Sequence, residues 1–407
     1  MMFQALELVA LSFFSLTVIY TVFNTFSGLF YKKKSPTSKG FSITSFCILI
    51  PAFKEDDVIL DSVSNTFKQN YNSQQFDVVV IADQLKSETI KKLKKIGAKV
   101  IEVSFDKSTK AKSLNFALKQ LDETERDAVV ILDADNILEP NFLVKLDQEF
   151  ISGSKVVQGK RVAKNMDTSM AILDSVSEIV NNHLFRKGPA ALGLSASLIG
   201  SGMAFDLIEI KSALRSNKAV GGFDKVLQLQ LIENGHTITY LDDALIFDEK
   251  VDNKENFQNQ RRRWLASQYL YLFKFFPKSL KFLFNGNFDY FNIGVLHNLF
   301  LPRVLNLGIL YLLMAISIIT NLLVQEPVVF TYSWVTLALV YSLCIVIPLP
   351  RKLYSKDLFK AFFSLPSTFL SMALLMFRLK NADKKFIHTK HNKKGIDNSL
   401  YEIDNGV

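Results

Sequence analysis

The chain has 407 residues, 48 Lys+Arg against 39 Asp+Glu for a formal charge of +9, and 49% hydrophobic residues with 35 Phe. That apolar share, with 21% charged residues, excludes a disordered chain. Two cysteines, Cys47 and Cys344, exclude a disulfide framework and a cysteine-rich metal site.

Leu8 to Tyr31 is a run of 24 residues without a charge, long enough to cross a bilayer, and Lys32 to Lys34 follow it directly. Met1 to Glu7 carries no positive charge, so the run reads as an uncleaved anchor, not a signal peptide. The lysines after it predict an N-terminus outside and a following domain in the cytoplasm.

From about Lys39 to Phe276 short apolar runs alternate with helical patterns. Phe46–Ile50, Phe76–Ala82, Lys99–Val103 and Ala128–Leu132 read as buried strands. Asp56–Asn70, Ser87–Ile96 and Ala111–Leu121 read as the helices between them. Strands joined this way predict an α/β fold with a doubly wound, mostly parallel sheet, in which ligands bind beyond the carboxyl ends of the strands.

Near the other end, Lys278 to Phe291 sets Phe between lysines, an interfacial pattern. Leu305–Val324 and Val328–Pro350 are uncharged runs of 20 and 23 residues, joined by Gln325-Glu326-Pro327 into a hairpin of spanning helices. Ala361–Phe377 is shorter, contains Pro366 and has basic clusters at both ends. It reads as a helix at or dipping into the inner interface, with a third span as the alternative. From Arg351 to Val407 there are eleven Lys/Arg against five Asp/Glu. These charges flank apolar runs without interleaved stacking aromatics, which argues against nucleic acid and for an anionic membrane face. The predicted division is an anchor (1–38), a cytoplasmic domain (39–276), interfacial helices (277–304), a transmembrane hairpin (305–350), an interfacial or third membrane helix (351–380) and a basic cytoplasmic tail (381–407).

The strand ends carry the chemistry. Pro51-Ala52-Phe53-Lys54-Glu55 follows the first strand, Asp83 the second and Asp133-Ala134-Asp135 the fourth. Two carboxylates at i and i+2 can turn toward one hard divalent cation bridging to phosphate oxygens. A single Asp in such a place is also a common turn or cap residue. Gly200-Ser201-Gly202 permits close backbone approach to a ligand or is a plain turn. Asp224 opens a helix and could simply cap it. Gln260-Arg261-Arg262-Arg263-Trp264 sits on a helix before the membrane. It could meet lipid headgroups, or hold a diphosphate with Trp264 as a stacking plane. No Gly-x-Gly-x-x-Gly follows the first strand, and no P-loop or Gly-x-Ser-x-Gly elbow is present.

Together these residues resemble the inverting family 2 glycosyltransferases, which have the nucleotide-diphospho-sugar transferase (GT-A) fold. The membrane-embedded polysaccharide synthases (cellulose, chitin, hyaluronan and poly-N-acetylglucosamine) are most similar in layout. The shared order is an early Asp (Asp83), Asp-x-Asp (Asp133/Asp135), a later Asp (Asp224) and Gln-x-x-Arg-Trp (Gln260, Arg263, Trp264). Pro51 to Glu55 matches the family's opening except at Lys54, where Asn is usual. Lys110 to Asn115 matches its Lys-Ala-x-x-Leu-Asn helix start. The acidic neighbour that usually precedes the later Asp is replaced by Gly222-Phe223.

The resemblance implies a multi-pass membrane enzyme that transfers a sugar from a nucleotide-diphospho-sugar, here a UDP-sugar, to a glycan or lipid-linked hydroxyl, with Mg2+ or Mn2+. In a bacterial cell it would sit in the inner membrane. Pro51, Ala52, Phe53, Glu55, Asp83, Lys110 and Asp133 would bind the donor, with Asp135 and Asp133 at the metal. Asp224 would be the catalytic base. Gly200, Ser201, Gly202, Gln260, Arg263 and Trp264 would meet acceptor and diphosphate. An inactive membrane-anchored scaffold, or a nucleotidyltransferase on the same fold, is the alternative.

Overall fold

Alternating side chains of one strand supply both layers of the core. The computed structural model describes residues 2–32, 43–215, 217, 219, 221–324, 331–379 and 391–397. The expected Lys33-Lys34 flank, the Gln325–Pro327 link and all of the expected tail except 391–397 lie outside these residues. In β1 (Phe46–Phe53), Cys47 and Leu49 enter one buried cluster while Phe46, Ile48 and Ile50 enter the other.

The remaining strands are β2 (Phe76–Asp83), β3 (Lys99–Val103), β4 (Ala128–Ile131), β5 (Ile137–Leu138), β6 (Val156–Ala163), β7 (Met203–Asp206) and β8 (Thr239–Asp248). They form one sheet in the order β3-β2-β1-β4-β7-β6-β8-β5. β1 runs parallel to β2 and β4, β2 to β3, and β6 to β8. β7 is antiparallel to β4 and β6, and β5 to β8. The sheet is α/β and mostly parallel, as expected. β3 is not the buried strand the sequence suggested: Lys99 and Glu102 are exposed. It is an edge strand, and none of its five residues is fully buried.

The helices are α1 (Met2–Leu29), α2 (Ile59–Thr66), α3 (Ser87–Lys95), α4 (Lys110–Leu118), α5 (Phe142–Ile151), α6 (Ser169–Asn182), the one-turn α7 (Gly188–Ala191), α8 (Leu207–Arg215), α9 (Phe223–Glu233) and α10 (Lys254–Phe284). Short α11 (Phe288–Phe291) and α12 (His297–Leu299) precede α13 (Arg303–Val324), α14 (Thr331–Val346), α15 (Lys356–Phe362) and α16 (Leu365–Met376). Local capping sets several starts. Thr109 accepts from the Lys112 amide, Thr168 from Ala171 and Asn253 from Asn256. α3 lacks a cap of its own; Asp56 accepts from its Lys86 amide and Thr89 hydroxyl instead.

Among the described residues, two helices are long and apolar enough to cross a membrane, Ala5–Leu29 and Arg303–Leu323. α14 has 16 residues, about 24 Å at ~1.5 Å per residue, less than a ~30 Å hydrocarbon core. α15 and α16 bend by 43° at a short break, the geometry of a broken span or a re-entrant turn. The expected border between residues 276 and 277 falls inside α10, which continues through Pro277.

α1 is fastened to the rest of the chain by polar contacts. Tyr20 donates to Asn292 Oδ1 at 2.9 Å, and Trp334 Nε1 donates to Glu7 at 3.0 Å. Toward its C-terminal end the backbones touch: a Cβ on Gly188 would lie 2.4 Å from the Asn24 carbonyl oxygen. Backbone cannot swing away as a side chain can. Gly188→Val should therefore destabilise the full chain by about 1–3 kcal/mol or more through overpacking, read as a lowered Tm in detergent.

Candidate active site

The turns that leave β1 and β2 are tight and strained. Lys54 and Gln84 both take left-handed backbone, with φ of 56° and 59°, and the Lys54 amide donates to the Asp83 carbonyl. Asn adopts that conformation more readily than Lys, which gives the family's usual residue at Lys54 a structural reason.

These turns bring Pro51, Ala52, Phe53, Glu55 and Asp83 to one wall of a cavity of about 670 Å3. Asp83 is 1% exposed, and both its carboxylate oxygens lack a hydrogen-bond partner among the described residues. A buried carboxylate left unpaired is costly, so it points to donors that a ligand brings.

Asp133 and Asp135 follow β4 and line the same cavity. Lys110, the first residue of α4, binds the Asp133 carboxylate and donates to the Gly200 carbonyl at 2.6 Å. Burial raises the pKa of Asp133 above the usual carboxylate range; Lys110 opposes this and the Asp135 charge adds to it. Asp135 Oδ2 accepts from Asn136 Nδ2 and from the Glu249 amide. Each carboxylate thus spends one oxygen on the protein. Among the described residues no three His, Cys, Asp or Glu side chains are grouped to hold a metal. Two carboxylates suit a hard divalent cation whose other ligands are diphosphate oxygens and water.

The Gly200–Gly202 turn lies directly behind this pair. Ser201 Oγ accepts from the Asp133 amide at 2.9 Å and donates to Asn136 Oδ1. Gly202 has φ 60°, and a Cβ there would sit 2.4 Å from Ile246 side-chain atoms. Close packing, not ligand approach, demands glycine at that position. Ser201 and Gly202 support the loop from beneath, whereas Gly200 faces the cavity.

Asp224 does not cap its helix. Gly222, in left-handed conformation, is the N-cap, and Asp224 lies in the first turn of α9 and faces the cavity. A Cβ on Gly200 would come within 4.0 Å of Asp224 Oδ2, so the Gly200 turn and Asp224 adjoin. Gln260, Arg263 and Trp264 on α10 complete the wall. Gln260 Oε1 is buried without a partner among the described residues, and burial lowers the Arg263 pKa. One face of Trp264 is covered by the Arg261 guanidinium, 4.7 Å from the ring, and Arg261 also binds Asp174. All the residues singled out from the sequence except Ser201 and Gly202 line this one cavity.

Two groups escaped the sequence reading. The first is a buried ionic cluster at its floor. Glu178 is bound by Arg161 at 2.8 Å and Arg186 at 3.1 Å, and Lys250 binds Asp248 at 2.8 Å. Burial alone would raise the acids, but the cations win: Asp248 is held down to about 2 and Glu178 lower still. The second is the segment 391–397. Glu249 accepts from the Asn392 and Lys393 amides, Asp61 from the Gly395 amide, and Ile396 packs on Ile137 and Phe247. Buried Lys164 donates to both the Asp135 carbonyl at 2.8 Å and the Lys393 carbonyl at 2.7 Å. His391 Nδ1 meets Glu55 at 3.1 Å. Burial would depress this imidazole, yet Asp135, Glu55 and Glu249 push it up to about 10. The segment is a strap across the acidic edge of the sheet. Only Lys393 and Lys394 in a basic tail hinted at a complement to those acids.

The family described as glycosyltransferase like family 2 matches residues 44–267. A search of curated proteins returns no match. Among solved structures, the chain is similar to S. aureus TarS at 18% identity and TM-score 0.37, over 56% of this chain and 40% of that one. The chain thus spans well under half of TarS. It is similar to a Pyrobaculum calidifontis mannosyltransferase, PcManGT, solved with GDP-Man and Mn2+, at 14% identity and TM-score 0.49, over 83% and 97% of the two chains. It is also similar to glucosyl-3-phosphoglycerate synthase from Mycobacterium tuberculosis, solved with Mn2+ and UDP, at 14% identity and TM-score 0.37, over 55% and 78%.

The strap's amide bonds to Glu249 are charge-assisted, each worth about 1.5–3 kcal/mol. Glu249→Ala should therefore speed amide exchange in a peptide spanning 391–397 by at least about tenfold. Mass spectrometry of exchanged, digested protein reads this directly.

Proposed function

The chain belongs to glycosyltransferase-like family 2, and from that premise we propose that it is a membrane-bound, inverting transferase of the polysaccharide-synthase type. It moves a hexose from a UDP-sugar to a hydroxyl of a growing glycan or a lipid-linked acceptor. The observation that carries the reading is the cavity itself: an unpaired buried Asp83, the Asp133/Asp135 pair and Asp224 face one space. Catalysis would take place in the cytoplasm, where nucleotide sugars are made. The inner flank of α1 is basic at Lys32, in keeping with that side. Residues 1–38 act as anchor, the sheet domain from 39 onward as the catalytic domain, and the helices after α10, which runs past the expected border at 276, as its membrane platform.

Asp83 and Glu55 accept hydrogen bonds from the nucleoside, with Pro51 to Phe53 walling the base. Asp133 and Asp135 hold a divalent cation, Mg2+ or Mn2+, which when bound supplies charge neutralisation for the leaving diphosphate. Lys110 and Arg263 add fixed positive charge on the protein side. Asp224 takes the proton from the acceptor hydroxyl as its oxygen bonds to the anomeric carbon. The bond from that carbon to the diphosphate breaks on the opposite face, its electron pair leaving with UDP, and the anomeric configuration inverts. Gln260 and Trp264 orient sugar and acceptor.

Purified full-length protein incubated with a panel of UDP-sugars and Mn2+ should release UDP; absence of release with every donor sinks the reading. Asp135→Asn should abolish the metal-dependent part of UDP binding while Tm holds, because the change is isosteric and lies at the cavity wall. Equal UDP affinity with and without EDTA in the unaltered protein would contradict this assignment. Asp224→Asn should lower transfer at least ~100-fold with UDP binding and Tm unchanged, since general-base catalysis is typically worth ~10²–10⁴. Near-normal transfer would return Asp224 to a structural role.

A further inference from the structure

The cavity does not end at Asp224. Past Gln228 and Gln260 it continues as an arm between α6 and the start of α13, reaching α14 and the bend between α15 and α16. Val176, Val180, Leu301, Leu307, Ile345 and Phe362 line this arm. Arg303, at its mouth, is committed to Asn181 and Ser177. A glycan would need hydrogen-bonding groups and open aromatic faces along such a passage. The arm's lining is mostly apolar, its polar Arg303, Asn181 and Ser177 are bonded to one another, and its helices include a membrane-crossing candidate. Apolar lining of that kind takes hydrocarbon.

We infer that the acceptor is a membrane lipid carrying a free hydroxyl, its chain lying in the arm and its head beside Asp224. This rests on the transferase reading above and narrows it from glycan or lipid-linked acceptor to the lipid itself. The lipid enters sideways from the bilayer at the bent α15–α16 pair, so neither substrate has to leave its own phase. Its hydroxyl loses a proton to Asp224, the oxygen bonds to the anomeric carbon, and UDP departs with the electron pair of the broken bond. The product is a glycolipid that stays in the membrane. The polar groups around Asp224, namely Lys225, Gln228, Ser197 and Gln260, sit where a lipid headgroup would bind. Lys225 is held by Asn298 at 2.8 Å, so it is ordered before any ligand arrives.

The test uses the full chain reconstituted in phosphatidylcholine vesicles, which present no acceptor hydroxyl. The vesicles are doped in turn with diacylglycerol, phosphatidylglycerol or a polyprenol, and supplied with radiolabelled UDP-sugars and Mn2+. Label in the organic phase that depends on a hydroxyl-bearing lipid is the expected result. Leu307→Trp and Val176→Trp, which fill the arm, should each raise the lipid concentration for half-maximal transfer at least tenfold. The KM for the UDP-sugar and the Tm should stay within twofold, which separates a filled arm from a damaged fold. Label recovered only in water-soluble oligosaccharide or polymer, at rates indifferent to the lipid and to both tryptophans, overturns the lipid acceptor and leaves the transferase reading standing. No UDP released from any donor overturns both.

Discussion

Charge must be balanced at the carboxyl edge of the sheet, and most of what surrounds that edge follows from it. Asp83, Asp133, Asp135, Asp248, Glu249 and Glu55 crowd around the ends of parallel strands and line one cavity. Carboxylates this close and this buried cannot stay ionised without cations nearby. The chain brings Lys110 from a helix start, Lys164 and Arg161 from the end of β6, Lys250 from the turn after β8, and His391 from far downstream. Asp83 is the exception, with no hydrogen-bond donor among the described residues. An edge balanced everywhere but at one carboxylate is pre-organised for a ligand that supplies donors there.

The parts that were legible from the sequence are those written in short windows. A run such as FDVVVIAD shows itself as a buried strand whose last residue meets the site, and β2 ends at Asp83 as the pattern requires. The Asp133-Ala134-Asp135 turn and the Gln260–Trp264 helix face were likewise local. What stayed hidden depends on distant partners. Nothing in the neighbourhood of Glu178 announces that Arg161, Arg186 and Lys250 converge on it. Nothing around His391 announces Glu55, 336 positions away. Local patterns also misassigned one detail. β3 looked like core because Val100, Ile101 and Val103 are apolar, although it is an edge. The cap role left open for Asp224 falls to Gly222, which occupies that position.

The apolar helices are joined to the sheet domain by more than a linker. α1 meets Gly188 backbone to backbone, Tyr31 at its end donates to the Tyr240 carbonyl on β8, and Arg303 at the head of α13 reaches back to α6. α10 carries Arg263 on the cavity side and runs unbroken to Phe284. Displacement of these helices would therefore reach the walls of the site through packed and hydrogen-bonded contacts.

The strap has a consequence for how the chain is made. A polypeptide folds as it emerges, its earlier domains first. The sheet and the apolar helices all precede residues 391–397 in chain order. For that interval the nascent domain carries its acidic edge without the His391 imidazole, and the apolar patch of Ile137 and Phe247 lacks Ile396. The edge closes only once the apolar helices between have been made, so assembly of the pocket is ordered after theirs by the sequence of synthesis alone.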